Sequence, residues 1–119
     1  AYRIAGKTGT SQVRRITAEE RARGVSRNED LPWYRRDHAL FVSFAPYEDP
    51  RYAVAVVVEH GGGGSAVAAP IARDIMLQAL HGGTPPLSSY PSADHRRIEQ
   101  QQRELELRDI RPGRSADRA

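Results

Sequence analysis

The chain of 119 residues has no cysteine and a single lysine, Lys7. The first absence removes disulfide scaffolds and thiolate metal sites, although it names no compartment. The second restricts any chemistry that needs a lysine to one position. Methionine and tryptophan occur once each, and aromatic residues make up only 7% of the chain. No apolar run approaches the roughly 20 residues that a membrane-spanning helix requires. Arginine supplies every other positive side chain, for a net charge of +3. No arginine run alternates with aromatics to build a stacking groove, so nucleic acid is not an expected partner. Hydrophobic residues make up 39%, a low share for a globular domain, and the shortfall is concentrated in the last third.

What is present falls into two parts. Residues 1–86 carry strand and helix patterns, whereas residues 87–119 read as a polar, mobile tail. Residues 2–13 read as a strand, with Tyr2, Ile4 and Val13 spaced by threonine and glycine. A polar connector follows over residues 14–37. Within it, Thr17-Ala18-Glu19-Glu20 resembles a capping box, which predicts a short helix ending near Gly24. Ser26 to Asp37 has no periodicity and reads as loop, with Leu31-Pro32-Trp33-Tyr34 expected to be pinned to the body of the domain. Residues 38–45 (HALFVSFA) and 52–58 (YAVAVVV) are near-continuous apolar runs separated by Pro- and Asp-containing turn chemistry, and predict an antiparallel hairpin of strands 38–45 and 52–59 with both faces covered, one by a helix of this segment and the other by missing parent sequence or another copy of the chain. A helix is expected over 66–80, with Ala68, Ile71, Ala72, Ile75 and Ala79 on one face and Pro70 in its early turns. It is ended by Gly82-Gly83 and Pro85-Pro86. In residues 93–109 only Ile98, Leu105 and Leu107 are large and apolar, a stripe that predicts a marginal helix. The fold class is α+β: an antiparallel sheet of three strands with a helix on one face. The chain begins at Ala1, without methionine and directly before a strand, and reads as a piece of a longer protein, with any membrane anchor upstream.

Residues 2–13, YRIAGKTGTSQV, contain two competing signatures. Gly6-Lys7-Thr8 matches the end of a phosphate-binding loop, but that motif needs glycine where Ala1 stands, and it opens a helix. Tyr2-Arg3-Ile4 favours a strand instead, and Thr8-Gly9-Thr10-Ser11 is a poor helix start. Lys7-Thr8-Gly9-Thr10 on a strand fits acyl transfer from a peptide with a free carboxylate. Such chemistry needs a nucleophile with its base, an oxyanion donor, and a cation with hydroxyls to hold the carboxylate. Lys7, Thr8 and Thr10 supply the cation and hydroxyls, an edge-strand N–H supplies the oxyanion donor, and Gly9 lets a substrate backbone lie close. The bland alternative for a bare Lys-Thr-Gly is a polar strand end.

AGKTGTSQV followed by RDHALFVSFAPY and VVVEHGGGG resembles the class B penicillin-binding proteins of the elongation type (penicillin-binding protein 2), over roughly residues 2–80. The YYGG-like segment usual in division-type relatives is missing near residues 61–64. The resemblance implies a penicillin-binding transpeptidase fold. It also implies a serine D,D-transpeptidase that cross-links peptidoglycan stem peptides ending in D-Ala-D-Ala and is acylated by β-lactams, without metal or cofactor. It places the parent at the periplasmic face of the inner membrane, held there only by the upstream anchor, beside a membrane glycosyltransferase of the elongation machinery. By the same resemblance Lys7 and Thr10 are catalytic. Lys7 supplies charge and bonds the serine of the second motif. The Thr8 and Thr10 hydroxyls hold the substrate carboxylate at Gly9, and the Thr10 N–H joins the oxyanion hole. Of the family's three motifs only Lys-Thr-Gly is here. Ser-x-x-Lys is excluded by Ile4, three positions before Lys7, and Ser26-Arg27-Asn28 follows Lys-Thr-Gly where the family's Ser-x-Asn precedes it. The nucleophile is therefore expected upstream, and the 119 residues alone are expected to be inactive. A D,D-carboxypeptidase, a β-lactamase, or a non-catalytic β-lactam sensor or partner-binding module are the alternatives.

The remaining polar residues have plainer readings. Asp37 and His38 are adjacent on a strand and point to opposite faces, so they form no dyad and are expected to fix the connector. Glu59, His60 and His81 lack metal-ligand spacing. Gly61–Gly64 reads as a flexible strand-to-helix turn, with an anion-binding nest as the alternative.

Overall fold

The structure, a computed structural model, describes residues 3–109. Tyr2 and residues 110–119, which belong to the expected first strand and tail, lie outside the described residues. The chain divides into one unit up to Gly82 and a second from Gly83.

The first unit is built on a three-stranded antiparallel sheet, β1 (Ala5–Ser11), β2 (His38–Ala45) and β3 (Tyr52–Val58), in the order β1-β2-β3. β1 is shorter than the 2–13 expected. β2 begins at His38, the register partner of Ser11, so Gln12 and Val13 have no strand residue to pair with. At the other end Ile4 packs against the core instead of extending the ladder. The six-residue turn between β2 and β3 folds back on the start of β1. There the Tyr47 N–H donates to the Arg3 carbonyl oxygen at 2.9 Å, and Arg3 pairs with Glu48.

Strand alternation splits the sheet into two faces. Ala39, Ser43 and Ala45 are buried on one, while Val42, Phe44 and Val57 on the other are 55%, 38% and 64% exposed. The segment thus covers one face of the sheet, as expected of its single helix, and the other face is open among the described residues. The covering element is a π-helical turn, Gly64–Ala68, that runs into α2 (Ala69–His81). Pro70 lies in its first turn and Gly82 closes it at φ 64°, where the left-handed backbone suits glycine. Ala68 and Ala72 face the sheet as expected, but Ile71 and Ile75 are 42% and 49% exposed, and Met76, Leu77 and Leu80 occupy the buried stripe. Both sets recur at helical spacing, so periodicity does not choose between them. The choice is made at the helix start, where Gly64 sits tight against the strands. The central cluster is Ala45, Met76 and Leu80, with Ile4 and Val54 packed against it. Burying a Met or Leu side chain stabilises by about 1.5–3 kcal/mol, and the alanines opposite let the helix approach closely.

The connector holds α1 (Ala18–Arg23) and two 3₁₀ turns, Asn28–Asp30 and Trp33–Arg35. Thr17 caps α1 by accepting the Glu20 N–H at 3.2 Å. Only half of the expected capping box forms, because the Glu20 carboxylate turns away to Arg14. Trp33 and Tyr34, expected to be pinned, are 58% and 66% exposed. The Trp33 ring does meet the His60 ring, with centroids 4.4 Å apart.

The second unit contains α3 (His95–Asp109), preceded by 3₁₀ turns at Leu87–Ser89 and Ser92–Asp94. Tyr90 and Ile98 are buried. His95 Nε2 donates to the Tyr90 carbonyl oxygen at 2.9 Å, and Gln102 Nε2 to that of Pro85 at 3.0 Å.

Candidate functional site

Lys7, Thr8, Gly9 and Thr10 lie in the middle of β1, paired with Val42, Phe41, Leu40 and Ala39 of β2. β1 pairs with β2 alone among the described strands, so its far side is a free edge whose backbone groups no described strand pairs. Alternation puts Lys7 and Gly9 on the open face and Thr8 and Thr10 on the face toward α2. A ligand meeting all three polar side chains therefore has to lie along the edge, where groups from both faces converge. Lys7 and Thr10 are exposed, and Thr8 and Gly9 are half-buried. The Lys7 ammonium donates to the Thr8 carbonyl oxygen at 2.8 Å, which folds the cation back over its own strand.

Two glycines near this strand differ in why they are glycine. A Cβ on Gly64 would stand 2.6 Å from the Leu40 carbonyl oxygen and 2.7 Å from that of Gly9, so the start of the helical segment presses on the backbone of β1 and β2 at the level of Gly9. A Cβ on Gly9 would meet only Leu40, at 3.4 Å, an ordinary contact. The chain's own packing does not require glycine at position 9.

The C-terminal end of β1 is held by polar groups. The Val13 N–H donates to Asp37 Oδ1 at 3.2 Å, and the Asp37 N–H donates to Asn28 Oδ1 at 2.9 Å. The Asp37 carbonyl oxygen accepts the Gly62 N–H at 2.9 Å. His38 Nδ1 accepts the His60 N–H at 2.9 Å and so carries no proton, whereas His60 Nδ1 donates to the Arg36 carbonyl oxygen at 2.8 Å. The two imidazole rings lie 4.6 Å apart. Asp37 and His38 thus both fasten the connector. The hub is His60, which sequence reasoning weighed only as a metal ligand; its only signal for this role was its place between an apolar strand and a glycine run. Gly61 and Gly62 spend their N–H groups on Val58 and Asp37, which leaves neither free for an anion nest.

Deeper in the connector Arg14 grips Glu20 with two hydrogen bonds of 2.7 Å. That pairing, more than the Ser26 N–H that Glu20 also accepts, holds the Glu20 carboxyl below the usual carboxylate range against the opposing push of burial. Among the described residues no helix is long and apolar enough to cross a membrane.

The family model described as the penicillin binding protein transpeptidase domain matches residues 1–77. The chain is 39% identical over 89 residues to the peptidoglycan D,D-transpeptidase MrdA of Haemophilus influenzae, covering 75% of this chain and 13% of that protein. It is 46% identical over 66 residues to MrdA of Escherichia coli K12, covering 56% of this chain and 10% of that protein. A crystal structure of Pseudomonas aeruginosa PBP2 in complex with WCK 5153 is 45% identical over 67% of this chain and 13% of that chain, with a TM-score of 0.47. The chain thus spans a small part of the length of each relative.

Proposed function

Because this chain belongs to the penicillin-binding protein transpeptidase domain family, we propose that it contributes the substrate-binding edge strand of a peptidoglycan D,D-transpeptidase. The observation that carries this reading is the free edge of β1. It bears a lysine and two threonines around a glycine, Gly9, that internal packing does not demand. A peptide ending in D-Ala-D-Ala would lie along that edge as an added strand, its backbone brought close at Gly9. Its carboxylate would meet the Thr8 and Thr10 hydroxyls in the positive potential of Lys7. A serine supplied by the rest of the enzyme would attack the penultimate carbonyl, with the Thr10 N–H donating to the oxyanion. The terminal D-Ala would leave as an amine and an acyl-enzyme would remain. The amine of a second stem peptide would then displace the serine and close the cross-link. A β-lactam would enter by the same carboxylate contacts and stop at the acyl-enzyme.

The relatives' role in peptidoglycan supports a periplasmic setting for the full-length protein. The finer proposal is the periplasmic face of the inner membrane, beside a membrane glycosyltransferase of the elongation machinery. Labelling of the full-length protein with a fluorescent penicillin tests the acyl-transfer reading. One covalent label per molecule is expected, with none on the 119-residue segment alone, which has no Ser-x-x-Lys. Failure of the full-length protein to label would overturn the reading.

A further inference from the structure

We propose that Asp37 and His60 are positioning residues, which lock the exit of β1 and so hold Thr10 in place for the substrate carboxylate. The proposal rests on the edge-strand reading above and adds to it the device that aligns the strand.

The two ends of β1 are secured by different means. At its start, Ile4 joins the apolar cluster of Ala45, Met76, Leu80 and Val54, and the Arg3 carbonyl oxygen accepts the Tyr47 N–H. The last register pairs, Thr10 with Ala39 and Ser11 with His38, lie at the opposite end of the sheet from that cluster. There the strand is held by the Val13 N–H on Asp37 Oδ1. Asp37 is in turn fixed through its own N–H by Asn28 and through its carbonyl oxygen by Gly62. His38, directly across from Ser11, is tied to the same turn through the His60 N–H. One turn after β3 therefore gathers the exit of β1 and the entry of β2.

That turn is strained. His60 has φ 51°, the left-handed region that residues with a side chain enter at a cost, most readily Asn, Asp and His. Such an outlier persists where its surroundings over-determine it, and it points to a functional demand. The surroundings here are the Arg36 carbonyl oxygen on Nδ1 and the rings of Trp33 and His38, at 4.4 and 4.6 Å between centroids. The residue closest to this clamp that the acyl-transfer reading uses is Thr10, whose hydroxyl and N–H both have to be aligned. The residues nearer the apolar cluster have the core to hold them.

The test uses the full-length protein and the variants Asp37→Ala, Asp37→Asn and His60→Ala. Misplacing a binding group by about an ångström costs up to about 100-fold in rate. Asp37→Ala and His60→Ala should each lower the second-order acylation constant for a β-lactam by about 10-fold or more. Asp37→Asn keeps an oxygen for the Val13 N–H and should recover to within about twofold of wild type. In a Thr10→Ala background the Asp37→Ala loss should shrink without vanishing, because the hydroxyl share of it is already gone while the Thr10 N–H still has to be aligned. Hydrogen exchange at Ser11 and Val13 reads the clamp without any acylation. It should quicken in Asp37→Ala and return in Asp37→Asn, even if penicillin labelling refutes the enzyme reading. If Asp37→Ala does not fold, His60→Gly, which accepts the positive φ but loses the ring, replaces it with the same expectation. Wild-type acylation in the alanine variants, equal losses in Asp37→Asn and Asp37→Ala, full additivity with Thr10→Ala, or unchanged exchange would each overturn the proposal.

Discussion

Gly64 rests against the backbone of Gly9: a Cβ at position 64 would come within 2.7 Å of the Gly9 carbonyl oxygen and 3.1 Å of its nitrogen. The atoms in the way are backbone, which cannot swing aside as a side chain can. Gly64→Ala should therefore push either the helical segment or β1 out of place. Overpacking of this kind typically costs about 1–3 kcal/mol, and a shift of β1 would reach the proposed substrate edge at residues 7–10. Denaturant melts together with acylation constants check this. A variant with wild-type stability and rate would show that the helix start yields freely.

The side chains of β1 should rank by what each removes. Thr10→Ala deletes a hydroxyl but keeps the backbone N–H. A hydrogen bond to a charged group is worth about 1.5–3 kcal/mol, so acylation of the full-length protein should slow by roughly 10- to 100-fold. Lys7→Ala should slow it further, since a cation and a donor are lost together. Gly9→Val should block substrate while leaving the strand folded, because the space beside Gly9 is not closed by the chain itself and valine favours strands. Acylation like wild type in both Lys7→Ala and Thr10→Ala would reduce the motif to a polar strand end.

Acid should loosen the connector through Glu20. Its folded-state pKa is depressed, first by the Arg14 hydrogen bonds. The stabilisation is therefore present above the ordinary carboxylate range and is lost as the pH falls through the lower folded value. Glu20→Gln removes the titrating group. Thermal midpoints followed from neutral into strongly acidic buffer should fall more steeply for wild type than for the variant, and parallel curves would refute the linkage.

Ser43 is 6% exposed and its Oγ has no hydrogen-bond partner among the described residues. An unpaired buried hydroxyl carries a desolvation cost with no return. Ser43→Ala should thus be neutral or stabilising by up to about 1 kcal/mol in a denaturant melt. A clear loss of stability would mean that the hydroxyl is satisfied in solution.

The hairpin of β2 and β3 was legible because two apolar runs of strand length flank residues with turn chemistry. The start of α1 was legible because Thr17 and Glu20 sit at capping distance. Less visible was the rotation of α2. Ile71 and Ile75 have the same spacing as the buried stripe, and the deciding fact is a backbone approach at Gly64 that no periodicity encodes. The role of His60 was hidden for a similar reason. Its partners His38 and Arg36 are 22 and 24 positions away, and a left-handed histidine looks in sequence like any other. Lys7-Thr8-Gly9-Thr10 stood out as a chemical pattern. Sequence alone did not reveal which face of that strand is open, or that its side chains meet along a free edge.

The bare side of the sheet carries a consequence for handling the molecule. Val42, Phe44 and Val57 present apolar surface to water, and such surface is shielded only when it meets another surface. Where two copies of the isolated segment meet through that side, folding and association become linked equilibria, and the apparent melting point becomes a function of protein concentration. Dilution should lower it, and any body that fits the bare side should raise it without altering a single residue of the chain.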